Sequence, residues 1–295
     1  MAKMLSRVAP WLASRREPGA GVRVLTGAET QALLDLARQD DVANVFILSH
    51  LETAGTASPT AGGARIFGVF DGEVLLGACW AGANLVPVQL APDLAPLVAA
   101  AVHRAGRRYA SIFGPAESVL ALYAALEPLG HHAQEIRADQ PLLTISTAPL
   151  VTPNPALGFG RLADFDAILP ACAAMFEEEV GYSPYLGGRE HYSRRVKGLI
   201  QAGHSLVHLG PDGAVVFKAE LGAVTAGVTQ VQGVWMNPAH RGQGLSAGYM
   251  AAVVVLARTL APVTSLYVND FNTRARASYE RVGFGQVGTF ATVLF

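Results

Sequence analysis

The chain has 295 residues, 51% of them hydrophobic and 15% charged, with a formal net charge of −1 at pH 7. That length predicts about two domains with well-filled cores, and near-neutrality without a basic stripe excludes a nucleic-acid partner. Cys79 and Cys172 are too few and too far apart for a disulfide framework or a metal site, so no metal and a reducing cytoplasm are expected.

Residues 1–21 carry Lys3, Arg7, Arg15 and Arg16 around an apolar stretch interrupted by Pro10. The arginines follow most of the apolar part, unlike a secretory signal, and the segment reads as an N-terminal arm. From 22 to 148 the pattern predicts a strand at 22–25, a helix over 29–51, and a hairpin of 66–70 and 74–80 around Asp71-Gly72. Helices follow over 94–104 and 118–126. Pro149, Pro153 and Pro155 mark a linker over 149–158.

From 159 to 295 the same order returns. Helices are predicted over 161–178 and 190–202, a strand at 205–209, a hairpin turn at Asp212-Gly213, and strands at 215–224 and 228–236. A buried helix follows from 245, then a strand at 265–269, a helix over 270–282 and a last strand at 286–294. The apolar run from 245 is only about thirteen residues long, too short to span a bilayer, so no membrane association is expected. Strand content reads as antiparallel except at the crossover around that helix, an α+β fold. The two Asp-Gly turns lie 212 − 71 = 141 positions apart, one domain's length, which predicts an internal duplication.

The most specific segment is Val234-Trp-Met-Asn-Pro-Ala-His-Arg-Gly-Gln-Gly-Leu-Ser246, an apolar strand running into a glycine-spaced turn and a helix. Gln243, Gly244, Leu245 and Ser246 would present free N–H groups at the positive end of the helix dipole. Gly242 and Gly244 allow a pyrophosphate close to the main chain, and Arg241 can neutralise it from the side. Downstream, Asn272 is placed to cap a helix, Ala275 and Tyr279 share a face at i, i+4, and Gly283 ends it before Phe284.

The run Arg241 to Ser246 resembles motif A of the GNAT superfamily of acyl-CoA-dependent N-acetyltransferases, with Ser246 where the family has Gly or Ala. Asn272, Ala275, Tyr279 and Gly283-Phe284 resemble its motif B, and two motifs in order make the match specific. The resemblance covers about 159–295. It implies tandem GNAT-like folds, because 22–148 repeats the order but has Pro92 and Pro96 in place of glycines, as in the degenerate N-terminal domain of some actinobacterial proteins. Abundant alanine and the presence of only three lysines, Lys3, Lys197 and Lys218, suggest a GC-rich bacterial genome.

What the resemblance implies chemically is acetyl-CoA as cosubstrate and direct attack of an amine on its thioester. The pantetheine arm would pair with main-chain groups at Val234 and Met236, and amides near Val234 and Trp235 would polarise the thioester carbonyl. The bland alternative is an ordinary buried strand with Trp235 as packing. Tyr279 is the candidate acid for the departing thiolate, or else a core tyrosine; Asn272 binds the pantetheine, caps its helix, or both. The family's usual carboxylate is replaced by Gln230, so Glu177, Glu178 and Glu179, and Glu220 on the neighbouring strand, are considered, with Glu178 and Glu179 as candidate bases or as an attraction for a cationic acceptor; a solvated helix end is the alternative.

His204 and His208 share a strand face, as surface residues or, less simply, as a base or metal pair. Tyr182, Tyr185 and Tyr192 form either a lid or an anchored loop. The expected partner is a small-molecule or peptide amine, and a homo-oligomer is left open. Two rivals stand beside this reading: acetylation of a thiol-sugar intermediate, as in the similar mycothiol synthases, and a non-catalytic acyl-CoA sensor.

Overall fold

A computed structural model describes residues 20–295; residues 1–19 of the expected N-terminal arm lie outside the described residues. The first half contains β1 (Ala20–Val24), α1 (Thr30–Ala37), α2 (Val45–Ala54), β2 (Arg65–Asp71), β3 (Val74–Ala81), β4 (Asn84–Val88), α3 (Ala95–Arg104), β5 (Ser111–Pro115), α4 (Ala116–Leu126) and β6 (Glu135–Ile145). The second contains β7 (Gly158–Phe159), α5 (Phe165–Val180), α6 (Arg189–Gln201), β8 (Ser205–Leu209), β9 (Val215–Val224), β10 (Val228–Met236), α7 (Ser246–Ala257), β11 (Val263–Tyr267), α8 (Thr273–Val282) and β12 (Gly285–Leu294). The fold is α+β, a mixed and mostly antiparallel sheet flanked by helices.

All strands among the described residues join one 12-stranded sheet in the order β1-β2-β3-β4-β5-β12-β6-β11-β10-β9-β8-β7. The two halves have therefore exchanged their last strands: β6 closes the second half against β11, and β12 closes the first against β5. β6 and β12 pair antiparallel at the centre. Ile145 and Leu294 are the corresponding ends of these strands, an offset of 294 − 145 = 149. Applying that offset turns Gly285↔Thr144 into Ile136↔Val293, and Gln286↔Leu143 into Arg137↔Thr292, and both images are observed pairs. The duplication expected from the turns is thus built into the register of the central strands. A buried chain of hydrogen bonds ties them: Thr292 Oγ1 donates to Gln140 Oε1 at 2.7 Å, and Gln140 Nε2 donates to Asn269 Oδ1 at 2.7 Å.

Three expectations need correction. The single helix over 29–51 is α1 and α2 separated by a turn, because Asn44 leaves helical geometry and its buried side chain donates to the Ala37 carbonyl at 3.0 Å. Parallel pairing is not confined to the second half, since β4 and β5 are also parallel at Asn84↔Ser111 and Leu85↔Ile112. A strand at 135–145 was not expected: Pro141 and the three charged residues Glu135, Arg137 and Asp139 obscure the alternation. Pro141 is tolerated inside the sheet because β12 shifts register between Gln286 and Gly288 beside it, where one ladder donor can be spared.

The turns and buried helix hold as read. Gly72 has φ +58 and Gly213 φ +78, the left-handed values a tight turn uses. α7 is buried on nearly every face, from Ala247 through Val254, which explains a helix without a polar side. Residues 149–157 contain no helix or strand. They run along the second half, with Leu150 N–H donating to Val282 O at 2.8 Å and Asn154 N–H to Gly248 O at 2.9 Å.

Candidate active site

The site begins with a bulge. Gln232 lies opposite Glu220 and Trp235 opposite Lys218, so Gly233 and Val234 have no partner of their own on β9. Gly233 takes φ +56, which glycine reaches without a Cβ clash. β10 and β11 pair only from Val228 to Gln230, and β11 then continues along β6. The strands part, and two clefts of about 600 and 580 Å³ open beside the bulge. Glu178, Val234, Trp235, Asn272 and Tyr279 line both.

The larger cleft contains the glycine turn. Gly242 (φ +77) and Gly244 (φ +72) hold the main chain in the left-handed region, and no atom lies within 4 Å of where their Cβ atoms would be. α7 starts behind Leu245 with no side-chain cap, which leaves its first N–H groups to a ligand. Met236, Arg241 and Ser246 line this cleft, whereas Leu245 packs on the core and Gln243 donates to Ala239 O at 3.2 Å. Arg241 is already engaged: its Nε donates to Met236 O at 2.9 Å and its Nη2 to Glu178 at 2.7 and 3.0 Å. Trp235 Nε1 donates to the same Glu178 at 3.1 Å. Glu178 thus bridges α5 and the end of β10.

α8 frames the far wall. Asn272 Oδ1 accepts from Ala275 N–H at 3.2 Å, so the capping role holds. At the other end Gly283 (φ +110) and Phe284 both donate to Tyr279 O, at 3.2 and 3.1 Å, a left-handed helix termination. Arg274, Ser278 and Arg281 share the face of α8 that looks into the larger cleft. Sequence reasoning missed them, although their i, i+4, i+7 spacing in the motif B helix was a readable signal.

The smaller cleft takes its floor from the exchanged strand. Arg137 on β6 donates through Nε and Nη2 to Glu135 at 2.9 and 3.1 Å, and through Nη2 to the Glu179 carbonyl at 2.9 Å. Its Nη1 lies 3.8 Å from the Glu179 carboxylate. Tyr279 is buried; burial pushes its phenol up to about 12, with the Glu179 charge adding to the shift. Tyr267, also in this cleft, is pushed up to about 12 by burial and Glu179, with Arg137 opposing. Both phenols are therefore neutral donors over the ordinary pH range, and Glu179 is the carboxylate that both feel. Glu135, Arg137 and Tyr267 had no signal in the second half's motifs, because two of them arrive from the first half.

Several expected residues stand elsewhere. Glu177 is exposed and lines neither cleft, and Gln230 is buried in the paired part of β10, also outside both. Glu220 faces inward, where burial alone would raise its carboxyl, but Lys218 overrides this and holds it below the usual carboxylate range. His208 is half-buried, with its Nδ1 2.6 Å from Tyr249 Oη, and burial lowers the ring's pKa, as it does for His204. Among the described residues no cluster of three or more His, Cys, Asp or Glu could hold a metal ion. Tyr192 is an anchor, donating to Cys172 O at 2.9 Å, while Tyr182 is exposed against Phe176. Among the described residues no helix is long and apolar enough to cross a membrane.

Residues 173–284 match the family model described as the acetyltransferase (GNAT) family, and residues 64–168 match a domain of unknown function (DUF4081). Curated proteins give no match. Among solved structures, a GCN5-related N-acetyltransferase from Sphaerobacter thermophilus is 16% identical with a TM-score of 0.59, over 94% of this chain and 95% of that one. A GNAT-family acetyltransferase from Colwellia psychrerythraea is 13% identical with a TM-score of 0.56, over 93% and 99%. A tandem GNAT protein from the clavulanic acid biosynthesis pathway is 13% identical with a TM-score of 0.55, over 92% and 98%. The likeness runs through both halves, and residues 173–284 form a domain of the GNAT acetyltransferase family.

Proposed function

We propose that the protein is an acetyl-CoA-dependent N-acetyltransferase whose acceptor is a singly charged primary amine. The observation that carries this is the continuity of the two clefts at Tyr279: an open glycine turn before an uncapped helix on one side, and a carboxylate-lined cleft on the other. Gly242, Gly244, Ser246 and the first N–H groups of α7 would hold the pyrophosphate, with Arg274 and Arg281 supplying positive charge beside it. The main chain at Val234 to Met236 would receive the pantetheine arm and present the thioester carbonyl to the smaller cleft.

Glu135, Glu178 and Glu179 line that cleft against Arg137, and Arg241 pairs Glu178 from the larger cleft, so one negative charge is left uncompensated. One ammonium group balances it; a polyamine would bring more charge than the cleft can pair. Glu178 is tied to Arg241 and Trp235, which leaves Glu179 as the group to take the amine's proton. The neutral amine nitrogen then forms its bond to the acetyl carbon as the carbon–sulfur bond breaks, Tyr279 donates a proton to the leaving thiolate, and the proton that the new amide nitrogen sheds restores the phenol. Gln230 is no obstacle, since Glu179 reaches the cleft from α5 instead of from β10.

The test is release of free thiol from acetyl-CoA with a panel of monoamines, lysine peptides, polyamines, aminoglycosides and a thiol-sugar. Turnover is expected, with monoamines or lysine side chains preferred. Tight acetyl-CoA binding without turnover on any amine would point to the sensor, and exclusive use of the thiol-sugar to the synthase.

A further inference from the structure

Behind the bulge lies a buried ion pair that the proposed chemistry does not use. Lys218 is fully buried, and its Nζ donates to Glu220 Oε1 at 2.6 Å and to the Gly233 carbonyl at 3.0 Å. Cys172 Sγ on α5 donates to the same Glu220 oxygen at 3.3 Å, and burial pushes this thiol up to about 12, so it stays a neutral donor. A buried ion pair is a poor source of stability, because apolar side chains of similar volume usually serve as well or better. This one touches a single backbone group outside itself, and that group is in the bulge.

The direction of that contact matters. In the sheet, β9 and β11 lie on opposite sides of β10. Lys218 belongs to β9, so the Gly233 carbonyl points toward β9. A trans peptide is planar and sends its N–H the opposite way from its C=O. The Val234 N–H, which shares that peptide, is therefore aimed away from β9, into the opening between β10 and β11 that Val234 lines. The ammonium on the carbonyl end also polarises the peptide and makes the N–H a stronger donor. Gly233 is needed for the same reason: a Cβ there would lie 3.1 Å from Met175 Cε and 3.2 Å from the Glu220 carboxyl carbon, at a φ of +56.

We propose that Lys218, oriented by Glu220 and Cys172, is a positioning residue that aims and polarises the Val234 N–H as the donor to the thioester oxygen during acetyl transfer. This rests on the acetyl-CoA reading above, and the tests separate the two. The first is isotope-edited infrared spectroscopy of acetyl-CoA carrying a ¹³C-labelled thioester carbonyl, bound to the full-length parent protein. A shift of the carbonyl stretch to lower frequency on binding is expected; binding without a shift overturns the role of Lys218 and leaves the cofactor assignment standing, whereas no binding by calorimetry overturns the assignment itself.

The second test is the double variant Lys218→Met with Glu220→Leu, which replaces the pair by apolar groups. If the pair were only structural, this variant would keep the parental turnover. The expected result is parental melting behaviour and acetyl-CoA affinity, KM for the amine within about threefold, loss of the infrared shift, and turnover lower by about 10²-fold, the size expected for removing one oxyanion donor. Parental turnover, or an infrared shift that survives in the variant, overturns the proposal. If the variant does not fold, the same readouts on Glu220→Gln decide, since this isosteric change loosens Lys218 from the Gly233 carbonyl: a smaller infrared shift and slower turnover are expected, and parental values of both overturn the proposal.

Discussion

The two halves of the sheet hold two clefts built on one plan and equipped differently. In each, a parallel strand pair separates after a few residues, β4 from β5 and β10 from β11. Each parting strand is followed or interrupted by a residue with positive φ, Gln89 at +45 and Gly233 at +56. In the first half the opening is lined differently: the Pro87 ring stands 3.6 Å from where a Gly114 Cβ would be, and Ser118 Oγ donates to the Leu90 carbonyl at 2.6 Å. Pro92 and Pro96 begin the helical turns where the second half has glycines. The cleft there, at about 630 Å³ no smaller than those of the second half, is edged by Asp40 and Glu117, which repel phosphates. Tyr123, the counterpart considered for Tyr279, spends its hydroxyl on Glu127 at 2.9 Å.

The difference teaches what the first half contributes to the second. Its last strand closes the second half's sheet and carries Glu135 and Arg137 into the second cleft, while β12 closes the first half in return. Neither half can be removed without opening the other.

The contrast is broken most severely at Gly244. Gly244→Glu places a side chain at φ +72 and a negative charge at a helix N-terminus meant for an anion, so acetyl-CoA affinity is expected to fall by about 10²-fold or more. Titration calorimetry on the parent should give one site; two equal sites, or binding that survives this change, would assign the cofactor to both halves or to neither.

Next in size is Tyr279→Phe, which keeps the ring and its packing. Turnover should drop by about 10²-fold with little change in acetyl-CoA affinity. Because the phenol is raised to about 12, its protonated, active form persists until pH rises through that value, and Tyr279 should add no alkaline limb between pH 6 and 10. A parental rate in a folded variant would make Tyr279 core packing.

Much of the second half was legible because its signals are local. The strands at 205–209, 215–224 and 228–236 carry apolar runs between turn residues, and the caps at Asn272 and Gly283 are read directly from residue type. The smaller cleft was not legible. Arg137 meets Glu179 across 42 positions only because β6 and β12 change places, and strand exchange leaves no mark on periodicity. The bulge escaped too, since Gly233 is one glycine among 31 and only its buried partner Lys218 distinguishes it.

The three glutamates give a graded test of the cleft's geometry. Glu179→Gln should lower turnover about tenfold or more, part of the proton transfer being recoverable through solvent. Glu178→Gln frees Arg241 for phosphate and should lower the KM for acetyl-CoA by no more than about fivefold, the worth of an exposed ion pair. Glu177→Gln should match the parent. If the cluster acts only by attraction, all three will instead raise the amine KM alike, and that effect will vanish at high ionic strength.

The smallest effects come from exchanging the two positive-φ residues in character. Gln89→Gly relieves a left-handed non-glycine residue, which is worth about 1–2 kcal/mol, but it gives the unfolded chain more freedom, worth about 0.5–1 kcal/mol in the other direction. The net change in denaturant unfolding should stay within about 1 kcal/mol, with no second acetyl-CoA site, because Pro92 and the two carboxylates still edge that cleft. Gly233→Ala carries the same left-handed penalty without the relief and presses a Cβ on Glu220, so it should destabilise by about 1–3 kcal/mol. The asymmetry is the point: if Gln89→Gly were as damaging as Gly233→Ala, the Gln89 side chain would have a task in the first cleft, and the first half could no longer be read as the copy that kept the strands and lost the site.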